Sequence, residues 1–200
     1  MDVDGKTVVR EEFNDAVLTG QSWTKATFEH CDFTESDLRD LVTQGCRFVR
    51  CDFSKADLGE SRHTSTAFQN CVFDRTVLTR ARLTGCSLLG STFNDCRLRP
   101  LDLTETDLTL VSLGRADLRK AKLSGLRLRD ANLTETNFTE ADLRDADLTG
   151  ARLLGATFSG ADLRGTRFDA NGLVQASLAG ARVDPDTAIA FAAAHGLRVD

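Results

Sequence analysis

ADLRDADLTGARLLGATFSGADLRG, residues 141–165, places Leu or Phe at every fifth position and Ala two residues before each one. Five residues along an α-helix advance about 500°, so these large residues would wind around every side of a helix and could not be buried together. A flat strand fails as well, because an odd spacing points successive residues to opposite faces. The chain must turn once per unit. Within each unit the large residue (position i) and the small one (i−2) lie on one short extended segment and face the same way. The other three positions face water or make the corner. Repetition then gives a polygonal coil filled by its large residues, a solenoid in which each turn touches only its neighbours.

The same frame runs from Phe13 in steps of five to Val183, and only Thr43 and His63 among its i positions are not large and apolar. Eleven of the twelve Phe residues share this phase, and all six cysteines (Cys31, Cys46, Cys51, Cys71, Cys86, Cys96) occupy i−2. A longer period is superimposed: Phe13, Phe33, Phe53, Phe73 and Phe93 alternate with Leu18, Leu38, Leu58, Leu78 and Leu98. Twenty residues, four units, therefore make one turn, about nine coils in all and a rod of about 42 Å at the spacing of adjacent strands. Trp23, Thr43 and His63 are also twenty apart and should stack on one face. The expected class is all-β, a quadrilateral β-helix with no insertion in its frame.

The A(D/N)LXX pattern from about residue 11 to 183 resembles the pentapeptide-repeat proteins. Within that family the likeness is to members that confer fluoroquinolone resistance, carried by CDFSKADLGESRHTSTAFQNCVF (51–73), CRLRPLDLTETDLTLVSLGRADLR (96–119) and the ending VDPDTAIAFAAAHGL (183–197). The resemblance implies a right-handed coil, a protein that binds DNA gyrase by imitating duplex DNA, and a homodimer joined at the carboxyl ends. Because fold does not imply function, a structural or interaction scaffold with another partner is the alternative.

Composition bounds these readings. The chain has 200 residues, is 41% hydrophobic and carries a net charge of −5, which suits one domain with a real core and argues against nucleic acid as the direct ligand. The amino end MDVDGKTVVREEF has no basic and apolar leader pattern and no long apolar run occurs, so a soluble, cytoplasmic protein is expected, with no membrane partner.

Residues 1–10 read as a lead-in, 11–185 as the coil and 186–200 as a carboxyl-terminal helix. Asp184 can cap that helix with Pro185 in its first turn, and Gly196 can stop it. Such a helix covers the open end of the stack. Ile189, Phe191, Ala192, Leu197 and Val199 are its candidate dimer-interface residues.

The chemistry-bearing residues point away from catalysis. The cysteines sit in small inward slots, where a thiol behaves as a small hydrophobe, and parallel Cβ vectors disfavour disulfides along the stack. His63 fills an i slot between Thr43 and Leu83, with no nucleophile to form a triad. No metal-ligand spacing or phosphate-cradling Gly loop is present, so neither cofactor nor enzyme activity is expected. The outward columns remain. Residues 130–147 carry Asp130, Glu135, Glu140, Asp142, Asp145 and Asp147 against Arg144 alone, whereas 61–100 hold six arginines against Asp74 and Asp95. Any single carboxylate reads as part of a solvated face, with pairs across rungs such as Asp142 with Arg164. Under the resemblance, Asp102, Glu105, Glu140, Asp142, Asp145, Asp147 and Asp162 stand in for phosphates on a gyrase-binding surface.

Overall fold

A computed structural model describes residues 1–198. Its strands are three residues long: β1 (Thr7–Val9), β2 (Ser22–Thr24), β3 (Thr27–Glu29), β4 (Val42–Gln44), β5 (Arg47–Val49), β6 (Arg62–Thr64), β7 (Ala67–Gln69), β8 (Val72–Asp74), β9 (Arg82–Thr84), β10 (Thr92–Asn94) and β11 (Asp102–Thr104). All pairs are parallel and their register is a shift of twenty, as in Thr7 with Thr27 and Phe73 with Phe93. The sheets are β1-β3-β5-β7, β8-β10 and β2-β4-β6-β9-β11, lying on three sides of a quadrilateral β-helix. The fourth side is joined by single bridges such as Val17 with Asp37 and Asp37 with Asp57.

The coil count is more uneven than the period alone suggests. Regular strands build at most five successive rungs. Beyond them the stack continues by isolated bridges, for example Asp107 to Arg127, Arg127 to Asp147 and Asp147 to Arg167.

An Asp or Asn at i−1 goes with the turn form on every side except the one at Asp102. Every Asp or Asn at i−1 except Asp102 accepts a hydrogen bond from the backbone N–H two residues later, as Asp32 does from Thr34 (2.8 Å) and Asn137 from Thr139 (3.0 Å). An amide held in this way is withdrawn from the ladder, so these sides carry one bridge and a tight turn. Where i−1 is Thr, Val, Arg, Ser or Ala, several sides keep all three residues in a strand.

Position i+2 is the corner, and it is left-handed almost throughout: φ is +54° at Arg10, +59° at Lys55 and +58° at Asp145. This backbone normally favours Gly, yet charged residues fill it in most coils. Most corner amides are tied to the next coil, as Asp145 N–H is to the Arg164 carbonyl at 3.0 Å.

The core is the column of i residues. Phe33, Phe53 and Phe73 stack face to face at 5.0 Å, and Phe28, Phe48 and Phe68 form a second stack at 4.9 Å. The six thiols do more than fill space. Each donates to the carbonyl oxygen 23 residues upstream, at 3.1 Å for Cys96 to Phe73 and 3.2 Å for Cys46 to Trp23. Thr76, Thr136 and Ser91 use their hydroxyls in the same way.

Two features depart from a continuous coil. Residue 100 is a corner occupied by proline, whose ring holds φ near −65° and which has no N–H. The bonds that would join this coil to the next are missing on two adjacent sides, between 97–103 and 117–123. Nearer the carboxyl end a short helix, α1 (Ala170–Val174), replaces a side of the coil while Leu173 stays buried. It packs against α2 (Pro185–Ala194). Asp184 is at the N-cap position of α2, but its side chain makes no cap bond there. It accepts the Gly165 N–H of the coil beneath at 2.6 Å. Asp169, which precedes α1, treats Gly150 in the same way at 3.0 Å. The stop at Gly196 is made at φ +81°.

Candidate functional site

The outward carboxylates are organised chiefly by their own arginines. In the Asp-Leu-Arg triplets the i−1 and i+1 side chains rise on the same side of one turn. Asp142 accepts the Arg144 Nε–H at 2.8 Å and Nη2–H at 2.7 Å, and Asp162 takes Arg164 at 2.8 and 2.6 Å. Asp37 with Arg39 and Asp117 with Arg119 repeat the geometry. The expected pair of Asp142 with Arg164 is therefore not made, because each arginine closes on the aspartate two residues before it. The Arg144 hydrogen bond holds the Asp142 carboxyl below the usual range, and Arg164 takes Asp162 down to about 2.

The acids of 130–147 do not share a face. Since four units make a turn, Asp130, Glu135, Glu140 and Asp145 occupy four successive corners and girdle the rod, with Gly150, Gly155, Gly160 and Gly165 at the corners above them. Glu135 and Glu140 pair with Arg115 (3.1 Å) and Lys120 (3.4 Å) one coil below. Asp147 is buried and clamps Arg129 and Arg167 at 3.3 and 3.0 Å, a structural position rather than an outward one. Asp102, Glu105 and Asp145 are exposed and are in no ion pair among the described residues.

A second acidic region, at the amino half, was not singled out by the residue pattern. Glu12, Asp32 and Asp52 are bridged one above another, with Asp57 on the adjacent side, and none is in an ion pair among the described residues. The signal was present as acids at i−1 spaced by twenty, hidden because they lie far apart along the chain.

At the carboxyl end, Ile189 (48% exposed) and Leu197 (63%) lie open, together with Val174 of α1. Phe191 and Ala192 are half-buried, and Val199 lies outside the described residues.

His63, Thr43, Ser61 and Thr66 form one interior polar network, whereas the buried Trp23 Nε1 in the same column has no hydrogen-bond partner among the described residues. His63 Nδ1 lies 2.7 Å from Thr43 Oγ1 and its Nε2 3.0 Å from Ser61 Oγ. Ser61 gives its proton to the Leu58 carbonyl, so it accepts from His63, which accepts from Thr43. Thr43 in turn lies 2.8 Å from Thr66 Oγ1. Burial pushes the His63 pKa down to about 3, keeping the ring neutral in a structural position. Among the described residues no cluster of His, Cys, Asp and Glu is arranged to hold a metal, and no helix is long and apolar enough to cross a membrane.

The comparisons agree with this geometry. The family model for pentapeptide repeats matches in eight copies over residues 12–41, 64–99, 101–135 and 127–165. The chain is 50% identical over 177 residues to the pentapeptide repeat protein MfpA of Mycobacterium tuberculosis, covering 88% of this chain and 97% of that protein. Among solved structures, a trypsin-treated form of QnrB1, a plasmid-mediated fluoroquinolone resistance protein, superposes with a TM-score of 0.85 over 100% of both chains at 22% identity. Full-length QnrB1 gives 0.82 over 96% of this chain and 97% of that one, at 21% identity. Coil, register and repeat together place this chain in the family of pentapeptide-repeat proteins.

Proposed function

We propose that this protein is a binding protein, not an enzyme, that occupies the DNA-binding surface of DNA gyrase as a cytoplasmic homodimer and so confers tolerance to fluoroquinolones or protection from a gyrase poison. The observation that supports the reading most is the form of the outer surface. Outward residues repeat at about 4.8 Å from coil to coil, not far from the 3.4 Å between charges along one DNA strand. Carboxylates stand on this lattice at Asp102 and Glu105 in the middle of the coil, at Glu140, Asp142, Asp145 and Asp162 toward the carboxyl end, and at Glu12, Asp32 and Asp52 toward the other. Backbone bonds to the neighbouring coil at Asp32, Asp52, Asp102, Glu140, Asp142, Asp145 and Asp162 hold these groups rigidly, so little ordering entropy opposes binding. The ion pairs moderate the charge. Exposed pairs contribute little to stability and can exchange partners at an interface.

The exposed apolar residues of α1 and α2 fit a carboxyl-end junction, through which two rods would form one longer acidic surface. The likeness to MfpA supports the same role. The test is inhibition of gyrase supercoiling by the purified protein, with duplex DNA as competitor. A scaffold for another partner would leave supercoiling untouched.

A further inference from the structure

The break at Pro100 opens a groove of about 700 Å³ between two coils. Six cations line it, Arg80, Arg82, Arg99, Arg119, Lys120 and Lys122, with Asp102 as the one carboxylate among the lining residues, in a chain of net charge −5. Four of the six are already engaged: Arg80 with Glu60, Arg99 and Arg119 with Asp117 at the rim, and Lys120 with Glu140. Arg82 and Lys122 are exposed and in no ion pair among the described residues. They flank Asp102 in one column.

The backbone adds a second, independent feature. In the intact stack the N–H of an i residue bonds the carbonyl of the next coil, as Leu78 does with Arg97 at 2.9 Å, and the N–H of i−1 bonds the coil below, as Asp107 does with Cys86 at 2.9 Å. At the break, the N–H groups of Leu98, Leu103, Asp117 and Lys122 have no such partner among the described residues. All four belong to the two sides that would have closed across the opening. Amides converging on one space, ringed by guanidinium and ammonium groups, make a concavity for negatively charged oxygens. Leu98, Leu101 and Leu118 supply an apolar floor.

We propose that this opening binds a compact polyanion, recognised through phosphoryl oxygens, between Arg82 and Lys122 and against the free amides. The proposal does not depend on the gyrase-binding reading, although Asp102 belongs to both surfaces. Whether the phosphoryl groups come from an organic phosphate or from inorganic polyphosphate is distinguished by comparing tripolyphosphate with a sugar bisphosphate as probes.

The experiment is calorimetric titration of the intact protein with each probe, accompanied by amide chemical-shift mapping. Saturable binding is expected, with shifts at the amides of Leu98, Leu103, Asp117 and Lys122 and none at Leu78. The double variant R82Q/K122Q should weaken binding at least tenfold, while R10Q, an exposed cation far from the groove, should leave it unchanged. Should the double variant fail to fold, the single variant K122E at an exposed lining position places a carboxylate in the same groove and should abolish binding. Absence of binding at millimolar concentrations of both probes, shifts scattered over the surface, or equal weakening by R10Q would overturn the proposal.

Discussion

Thr43 Oγ1 lies 2.7 Å from His63 Nδ1 at the centre of the coil, where neither side chain reaches water. The contact joins two successive coils through their cores, and burial there holds the imidazole neutral. The folded pKa of about 3 is below the unfolded value of 6.5, so between those values the unfolded chain binds a proton that the folded one refuses. The effect is absent above about pH 6.5, grows by about 1.4 kcal/mol per pH unit below it, and levels off near pH 3. Lowering the pH from 6.5 to 4.5 should therefore destabilise the parent by about 3 kcal/mol more than His63→Leu, measured by urea unfolding. Equal losses in the two proteins would show that His63 does not carry the acid sensitivity.

Phe53 is buried between Phe33 and Phe73 in a continuous stack. Phe53→Ala should destabilise the coil by about 3–5 kcal/mol, because neighbouring rungs are fixed by their ladders and cannot collapse into the space. Since each coil touches only its neighbours, the loss should also broaden thermal unfolding. A change within about 0.5 kcal/mol would place the ring at a surface-like site.

Pro100 occupies a corner where other coils use a left-handed residue. Pro100→Gly should let that corner form and restore cross-coil bonds, protecting the Leu98 and Leu103 amides from hydrogen exchange. Unchanged exchange at both amides would show that the opening has a cause other than proline.

Ile189 and Leu197 are exposed on the described chain, so charging them disturbs little internal packing. Ile189→Asp combined with Leu197→Asp should convert a dimer to a folded monomer in light scattering. A dimer of unchanged mass would remove these two residues from the interface.

Much of this architecture is legible in one sequence, because a five-residue period with inward i and i−2 positions admits few chains that bury it. Trp23, Thr43 and His63 stack as their spacing of twenty requires. Part of the division into strand and turn is written locally, since an Asp or Asn at i−1 goes with a turn on all sides but one, but Val77, Ser112 and Arg127 also sit on turn-form sides and nothing at i−1 foretells it. Other features needed three dimensions. Asp142 and Arg164 look like partners across a rung, but the Asp-Leu-Arg turn brings Arg144 closer. Glu12, Asp32 and Asp52 are dispersed along the chain and adjacent in the stack, whereas the acids of 130–147 are adjacent in the chain and dispersed around the rod. Helix α1 keeps Leu173 in frame and so leaves no gap in the apolar pattern.

The central claim is that outward carboxylates imitate phosphates on gyrase. Asp142, Asp145 and Asp162 stand outside the core, so changing all three to Asn should leave the coil folded by circular dichroism while releasing Arg144 and Arg164 from their pairs. The direct measurement is inhibition of gyrase supercoiling by parent and triple variant at two salt concentrations. The account predicts that the parent inhibits, that added salt weakens it because exposed charges are screened over about 8–10 Å at ordinary ionic strength, and that the folded triple variant inhibits less at low salt. Equal inhibition by both proteins would exclude these carboxylates from the contact, and no inhibition by the parent would contradict the gyrase reading itself.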